Sequence, residues 1–158
     1  MAKFGLRPFV YFVVSWLLFF SVDRGTANRS PSLQLVDTVS AVLKVYTLSN
    51  CSTCRDATKW LRAVGIEFEE IPIRERPPTI TEITAMFRAL GDSRRAFNTS
   101  GREYREQKLS EKLPLLSDVA RAKLLAGNGS LVKRPFAIGA GIAIVGFDQA
   151  QWKAAFGR

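Results

Sequence analysis

The sequence contains no histidine and only two cysteines among its 158 residues. Without histidine, a Ser-His-Asp triad, a Cys-His protease pair and every zinc site with an imidazole ligand are excluded. Two cysteines do not complete a structural zinc site within one chain, so we expect no bound metal, although a zinc ion shared between two chains stays open. They are also too few for a disulfide-rich scaffold, so an apolar core must stabilise the fold.

Acidic residues are outnumbered by basic ones. Aspartate and glutamate number 14 against 23 lysines and arginines, which gives a formal net charge of +9. A positive surface attracts polyanions and acidic proteins. The basic residues are scattered and form no dense block interleaved with aromatic residues, so we expect no direct nucleic-acid binding. An acidic protein partner stays open.

One long hydrophobic run, FVYFVVSWLLFFSV at residues 9–22, follows two basic residues near the N-terminus. A bilayer span needs about 20 apolar residues, so this shorter run is typical of an export signal or signal anchor. We therefore expect residues 1–42 to be a leader and linker that exports the domain or tethers it to a membrane. The alternative is a true start near Val42, in which case the protein is cytoplasmic.

The remaining residues, 43–158, begin with an alternation of strand and helix patterns. The segments LKVYTL, residues 43–48, and IEFEEIPI, residues 66–73, predict two strands rich in β-branched and aromatic residues. Between them, apolar residues at helical spacing predict a helix that ends at Gly65. This order is a βαβ unit, in which the two strands are parallel.

Helical patterns follow the second strand. Thr79 and Glu82 have the spacing of a capping box, and the helix that they begin is expected to end at Gly91. Residues 94–108 are polar and weakly periodic, which indicates a loop with a short helix. Another helix is predicted from the cap residue Ser117 to the neighbourhood of Gly127.

The C-terminal part predicts two strands and a final helix. The segment RPFAIGAGIAIVGF contains two apolar runs around a glycine-rich turn, which is typical of a β-hairpin. The helix then begins at the cap residue Asp148. The order βαβ, helical insert, ββα predicts an α/β protein with the thioredoxin-like arrangement, in which helices cover a four-stranded mixed sheet.

The two cysteines stand in NCSTC, where the first strand gives way to the first helix. Cys51 is expected in the loop and Cys54 in the first helical turn, where unpaired N–H groups and the helix dipole favour a thiolate. Arg55 adds positive charge to the same helix end. We expect Cys51 to attack and Cys54 to resolve the mixed disulfide. The alternative, that both cysteines are small buried hydrophobic residues, stays open.

A second candidate segment is LVKRPF, in which Pro135 directly precedes a predicted strand. Proline is tolerated at a strand start, and in thioredoxin-like folds this position holds a cis-proline against the cysteine loop. Arg134 is then expected to point toward Cys51 and to bind an oxyanion or carboxylate, with a solvated surface arginine as the alternative. The candidate catalytic residues are Cys51, Cys54 and Arg134, and the candidate substrate-binding residues are Asn50, Arg55 and Pro135.

The segments that carry a family resemblance are NCSTCRDATKWL, FNTSGREYRE, KLPLLSD, LVKRPF and IVGF. Together they resemble the arsenate reductase family of thioredoxin-like proteins, which also includes Spx-type regulators of RNA polymerase. The resemblance covers about residues 44–156. It implies a thiol-based oxidoreductase without a bound cofactor, whose partner is a small thiol or a thiol-reducing protein, with glutathione, glutaredoxin or thioredoxin as the reductant.

The chain departs from this family at the oxyanion site. Glutaredoxin-dependent arsenate reductases use one cysteine, at the position of Cys51, and three arginines around the oxyanion. Arg134 matches one arginine, whereas Thr99 and Gly146 stand near the other two positions. A hydrogen bond to a charged group contributes about 1.5 to 3 kcal/mol, so these losses argue against efficient arsenate reduction.

Spx-type regulators resemble the chain in a Cys-x-x-Cys that is followed by arginine, and in a glycine near Gly146. They bind the C-terminal domain of the RNA polymerase α subunit and use the cysteine pair as a redox switch. The resemblance therefore implies an alternative function, a redox-sensing regulator in the cytoplasm. An exported domain has no access to RNA polymerase.

Overall fold

The computed structural model describes residues 42–157. Apart from Val42, the predicted leader at residues 1–42 lies outside the described residues, as does its hydrophobic run at residues 9–22. Within the described part, no helix combines the length and the apolar character that a bilayer crossing requires.

Four short strands form one mixed sheet in the order β2-β1-β3-β4. β1 runs parallel to β2 and antiparallel to β3, and β3 pairs antiparallel with β4. The predicted thioredoxin-like fold with a four-stranded mixed sheet is confirmed. The strands are β1 (Lys44–Thr47), β2 (Glu69–Pro72), β3 (Phe136–Gly139) and β4 (Ile142–Val145).

Helices connect and cover the strands. The long helices α1, α2 and α5 and the C-terminal helix α6 surround the sheet, while two short helices, α3 and α4, form the insert between α2 and α5. The helices are α1 (Ser52–Ala63), α2 (Ile80–Leu90), α3 (Arg102–Glu106), α4 (Leu109–Lys112), α5 (Asp118–Gly127) and α6 (Gln149–Ala155). Turns of 3-10 helix lie at Ser93–Ala96, Leu113–Leu115 and Gly129–Leu131.

Both faces of the sheet are buried under helices. Alternate residues of a strand point to opposite faces, so neighbouring residues of β1 belong to different apolar clusters. Val45 of β1 belongs to one apolar cluster, with Trp60 of α1 and Trp152 of α6. Its neighbour Tyr46 belongs to the other cluster, which contains Phe136 and the apolar residues of α2 and α5. The helix α1 is therefore fixed to the sheet along its length, and its N-terminus has a defined position.

The second strand is shorter than the sequence predicts, since β2 begins at Glu69 rather than at Ile66. Gly65 ends α1 with a φ of +71°, a region that favours glycine. Ile66 then donates its N–H to the Leu61 carbonyl at 3.0 Å, so this backbone group closes the helix and is not available to the sheet. The predicted hairpin is present, with its turn between Gly139 and Ile142.

Glu82 connects α2 to β1 through a buried carboxylate. The predicted capping box is present, because Thr79 donates its N–H to the Glu82 carboxylate at 2.8 Å and accepts from the Glu82 N–H at 3.2 Å. The carboxylate also accepts from Tyr46 Oη at 2.9 Å and Lys44 Nζ at 3.0 Å. Burial raises the pKa of Glu82, but the hydrogen bonds from Thr79, Lys44 and Tyr46 outweigh burial, so the pKa is lowered.

Replacing Glu82 with glutamine is expected to reduce the free energy of unfolding by about 2 kcal/mol at neutral pH, because an amide breaks the ion pair with Lys44 and cannot accept every hydrogen bond that the carboxylate accepts. The pKa of Glu82 is lower in the folded state than in the unfolded state. Its contribution is therefore present above the unfolded pKa and is lost as the pH falls through the folded pKa. Urea unfolding at neutral and at acid pH measures both effects.

The control is Glu106→Gln, which removes a carboxylate from an exposed pair with Arg102 and is expected to change stability little. If Glu82→Gln were as stable as the control at neutral pH, or if its deficit did not shrink in acid, the buried carboxylate would not have the stabilising role described.

Candidate active site

Cys51 occupies the N-cap position of α1, where serine, threonine, asparagine and aspartate are the usual residues. Its Sγ accepts a hydrogen bond from the backbone N–H of Cys54, with 3.4 Å between sulfur and nitrogen. The Cys51 N–H donates to the Leu48 carbonyl at 3.0 Å and closes the loop that leaves β1. These contacts place a partly exposed sulfur at the N-terminus of a helix of 12 residues.

Cys54 lies one helical turn further on and is only 2% exposed. Burial, and to a smaller extent a hydrogen bond to Cys51, raise the pKa of the Cys54 thiol to about 12. Both cysteines are free thiols. The two cysteines therefore differ in exposure: Cys51 is half-buried, whereas Cys54 is buried and its thiol is protonated at neutral pH.

Arg134 and Pro135 directly precede β3, and the peptide bond between them is cis. Phe136 pairs with Tyr46, so the residues before β3 lie beside the end of β1 where the cysteine loop begins. The positive charge of Arg134 acts on the Cys54 sulfur and lowers its pKa, against the larger effect of burial. Arg134 Nη1 is buried and has no hydrogen-bond partner in the described part of the chain. The structure therefore brings Arg134 and the cysteine pair to one edge of the sheet.

Of the other two candidate residues, Asn50 lies on the cysteine loop and Arg55 lies in the first turn of α1. Arg55 donates from Nη1 to the Ser49 carbonyl at 3.3 Å, and its backbone N–H donates to the Cys51 carbonyl at 3.2 Å. Asn50 is exposed in the turn that follows β1. Arg55 thus stabilises the loop that carries Cys51, while substrate binding by Asn50 and Arg55 stays a prediction.

The model of the ArsC family matches residues 46–155. The chain belongs to the ArsC family. Thiol-based redox chemistry is characteristic of this family and its neighbours. Within the described residues, no group of three or more cysteine, aspartate or glutamate side chains could hold a metal ion.

Relatives of the ArsC-family chain include an uncharacterized protein, YusI of Bacillus subtilis, which is 42% identical over 70% of this chain and 95% of its own length. A solved structure from Streptococcus mutans, described as a possible arsenate reductase, is 34% identical and has a TM-score of 0.66, with 73% of this chain and 98% of that chain covered. The global transcriptional regulator Spx of Enterococcus faecalis is 32% identical over 68% of this chain and 81% of its own length.

The two residues near the missing family arginines provide no cation. Gly146 has a φ of +71°, a backbone conformation that an arginine would adopt only under strain. Thr99 is exposed beyond the short bridge between Phe97 and Val132. Phe97 is buried and packs edge-to-face against Tyr104, so these two aromatic residues serve packing.

Two arginines that the sequence reasoning missed lie in one cavity with Arg134. This arginine cavity has a volume of about 300 Å³ and is formed by Arg74, Arg102 and Arg134 together with Asn98, Gly101, Glu103 and Ser130. Arg74 follows β2 and Arg102 begins α3, so three separate segments of the chain supply the three guanidinium groups. No spacing or motif in the sequence indicates this convergence.

Proposed function

We propose that this ArsC-family protein is a thiol-disulfide oxidoreductase in which Cys51 attacks and Cys54 resolves. The supporting observation is the unequal access of two free thiols at the N-terminus of α1. Cys51 caps the helix and is partly exposed, whereas Cys54 is buried and lies within hydrogen-bond reach of it. A nucleophilic thiol followed by a resolving thiol requires this arrangement.

The reaction transfers two electrons from the cysteine pair to a disulfide. The Cys51 thiolate attacks one sulfur of the substrate, forms a mixed disulfide and releases the other sulfur as a thiolate. Cys54 then loses its proton, attacks Cys51 Sγ and displaces the remaining substrate sulfur, which leaves a Cys51–Cys54 disulfide. A thiol reductant such as glutathione, glutaredoxin or thioredoxin returns the pair to its reduced form by the reverse exchange.

The surroundings of Cys54 favour this order of events. Burial raises the pKa of Cys54, and so do the hydrogen bond and the negative charge of Cys51, while Arg134 lowers it. The contributions of Cys51 depend on its free sulfur and end when that sulfur forms a mixed disulfide. Burial, a backbone hydrogen bond with Leu48 and the charge of Arg134 then remain, so Cys54 loses its proton more readily after Cys51 has reacted than before.

A disulfide is a better candidate substrate than arsenate. Arg134 is the only side chain that matches the three arginines of the family's oxyanion site, since Thr99 and Gly146 stand near the other two positions. Removing charge-assisted hydrogen bonds from a developing oxyanion weakens catalysis strongly. Disulfide exchange needs only an accessible thiolate and a resolving thiol.

The resolving variant Cys54→Ser is expected to accumulate a mixed disulfide at Cys51 when it is mixed with 2-hydroxyethyl disulfide, because no second thiol can displace the adduct. The wild-type protein is expected to pass through the same adduct to an intramolecular disulfide. Intact-mass spectrometry after acid quenching, followed by peptide mapping, identifies the modified cysteine.

Two variants serve as controls for this trapping experiment. Cys51→Ser is expected to form no adduct, since Cys54 is buried, and Ser49→Ala in the same loop is expected to react as the wild type does. If the Cys51→Ser variant formed an adduct on Cys54 as fast as the wild type reacts, Cys51 would not be the attacking residue.

The second candidate function is a redox-sensing regulator of the Spx type. It is favoured by the 32% identity to the Enterococcus faecalis Spx and by the Cys51–Cys54 pair followed by Arg55. In that case oxidation of the pair changes a basic surface that binds the RNA polymerase α subunit. This function requires the cytoplasmic alternative, with a true start near Val42.

A pull-down with the C-terminal domain of the RNA polymerase α subunit separates the two functions. A regulator is expected to bind this domain in one redox state of the cysteine pair and to lose binding in the other. The oxidoreductase proposal predicts no binding in either state. Redox-dependent capture that is lost in Cys51→Ser would favour the regulator.

A further inference from the structure

The arginine cavity has more positive charge than the described residues around it neutralise. Three arginines line the cavity, and Glu103 is the one acidic residue among the lining residues. Glu103 already accepts a hydrogen bond from Asn128 Nδ2, and hydrogen bonds from Asn128 and Ser130 lower its pKa. The charges of Arg74 and Arg102 contribute in the same direction.

The three arginines have different roles in the cavity. Arg74 and Arg102 are exposed and form its rim, and Arg102 has a long, solvent-exposed contact of 3.5 Å with Glu106. Arg134 lies deeper, with Nη1 buried and unpartnered among the described residues. A buried donor without a partner costs free energy that a bound acceptor would recover. Arg134 Nη1 is therefore available to donate a hydrogen bond to an anion bound in the cavity.

The cavity lies at the same edge of the sheet as the cysteine pair. Arg74 follows Ile73, whose N–H donates to the Thr47 carbonyl at the end of β1 at 2.9 Å. Gly129 packs on the Ile73 carbonyl so closely that a Cβ atom would stand 1.8 Å from it, and this contact holds Ser130 beside the end of β2. Arg134 belongs to the cavity and also acts on the Cys54 sulfur.

We propose that the arginine cavity binds a carboxylate of the disulfide substrate while Cys51 attacks its sulfur. The inference rests on the thiol-disulfide exchange proposed above and names the substrate class: disulfides with a carboxylate a few bonds from the sulfur. Arg134 fixes the anion at the inner end, and Arg74 and Arg102 attract it at the rim. In the reaction, Cys51 Sγ bonds to the substrate sulfur on the side of the bound carboxylate, and the other sulfur leaves as a thiolate.

A second surface beside the cysteine loop contains two glutamates. A groove of about 230 Å³ is lined there by Glu70 and Glu75, next to Leu48 and Ser49. Glu70 accepts a hydrogen bond from Thr47 Oγ1 at 2.9 Å. These glutamates attract a cationic disulfide independently of the arginine cavity. The effect of the carboxylate is therefore measured against a neutral disulfide.

The experiment measures the rate of adduct formation at Cys51 in the Cys54→Ser background with three disulfides. These are 3,3′-dithiodipropionate, neutral 2-hydroxyethyl disulfide and cationic cystamine, each normalised to its rate with free 2-mercaptoethanol. The dicarboxylate is expected to react about tenfold faster than the neutral disulfide at low ionic strength, and added salt is expected to reduce this preference.

Single substitutions test which arginines cause the preference for the dicarboxylate. Arg74→Ala and Arg102→Ala are each expected to lower the dicarboxylate rate several-fold without changing the neutral rate. The matched controls are Arg76→Ala, where the arginine pairs with Glu69, and Arg105→Ala, where it donates to the Ser100 carbonyl. Both controls remove one positive charge near the cavity without removing a residue that lines it, and both are expected to retain the preference.

Equal normalised rates for the dicarboxylate and the neutral disulfide would overturn the carboxylate site and leave the proposed exchange intact. Equal losses in Arg74→Ala and Arg76→Ala would also overturn it, because general surface charge would then explain the preference. No adduct at Cys51 with any of the three disulfides would overturn both the exchange reaction and the cavity's role in it.

Discussion

The hydrogen bond from the Cys54 N–H to Cys51 Sγ is the interaction on which the candidate site depends. It makes a cysteine the cap of α1, so the sulfur is held where the helix presents its unpaired N–H groups. The same turn of helix directs Cys54 inward, and burial separates the two thiols in access. The capping contact and the burial of Cys54 together support the proposed roles, in which Cys51 attacks and Cys54 resolves.

The rest of the fold fixes the position of this cap. Trp60 and Leu61 of α1 pack in the cluster that contains Val45 of β1, so the helix cannot slide along the sheet without losing buried area. On the other face, the Glu82 carboxylate connects α2 to Lys44 and Tyr46 of the same strand. β1 is held from both sides, and the cysteine loop leaves a strand with little freedom to move.

Much of this arrangement could be predicted from the sequence because it is encoded locally. The alternation of strand and helix patterns predicts the βαβ unit, and the spacing of Thr79 and Glu82 predicts the capping box. The position of NCSTC between a strand and a helix predicts Cys51 in the loop and Cys54 in the first helical turn. Local patterns predict the start of β2 less accurately, because the backbone at Ile66 takes part in the end of α1. Ile66 has a strand-like side chain, but its N–H closes α1, so β2 begins three residues later than expected.

The arginine cavity could not be predicted in this way. Arg74, Arg102 and Arg134 come from the end of β2, the start of α3 and the entry to β3, and no local pattern relates them. Their convergence depends on how the insert packs against the sheet, including the close contact of Gly129 with Ile73. A comparison by aligned positions concerns Thr99 and Gly146, and it gives no information on arginines that other elements bring into a cavity with Arg134.

A thiol-trapping titration of the purified wild-type protein across a series of glutathione redox buffers tests the central claim most directly. Free thiols are alkylated at each redox poise, and the Cys51–Cys54 disulfide is counted by mass. Reversible conversion of both thiols into one intramolecular disulfide, with a single midpoint, is the expected result. If no intramolecular disulfide formed at any poise, the cysteine pair would not be a two-electron redox centre.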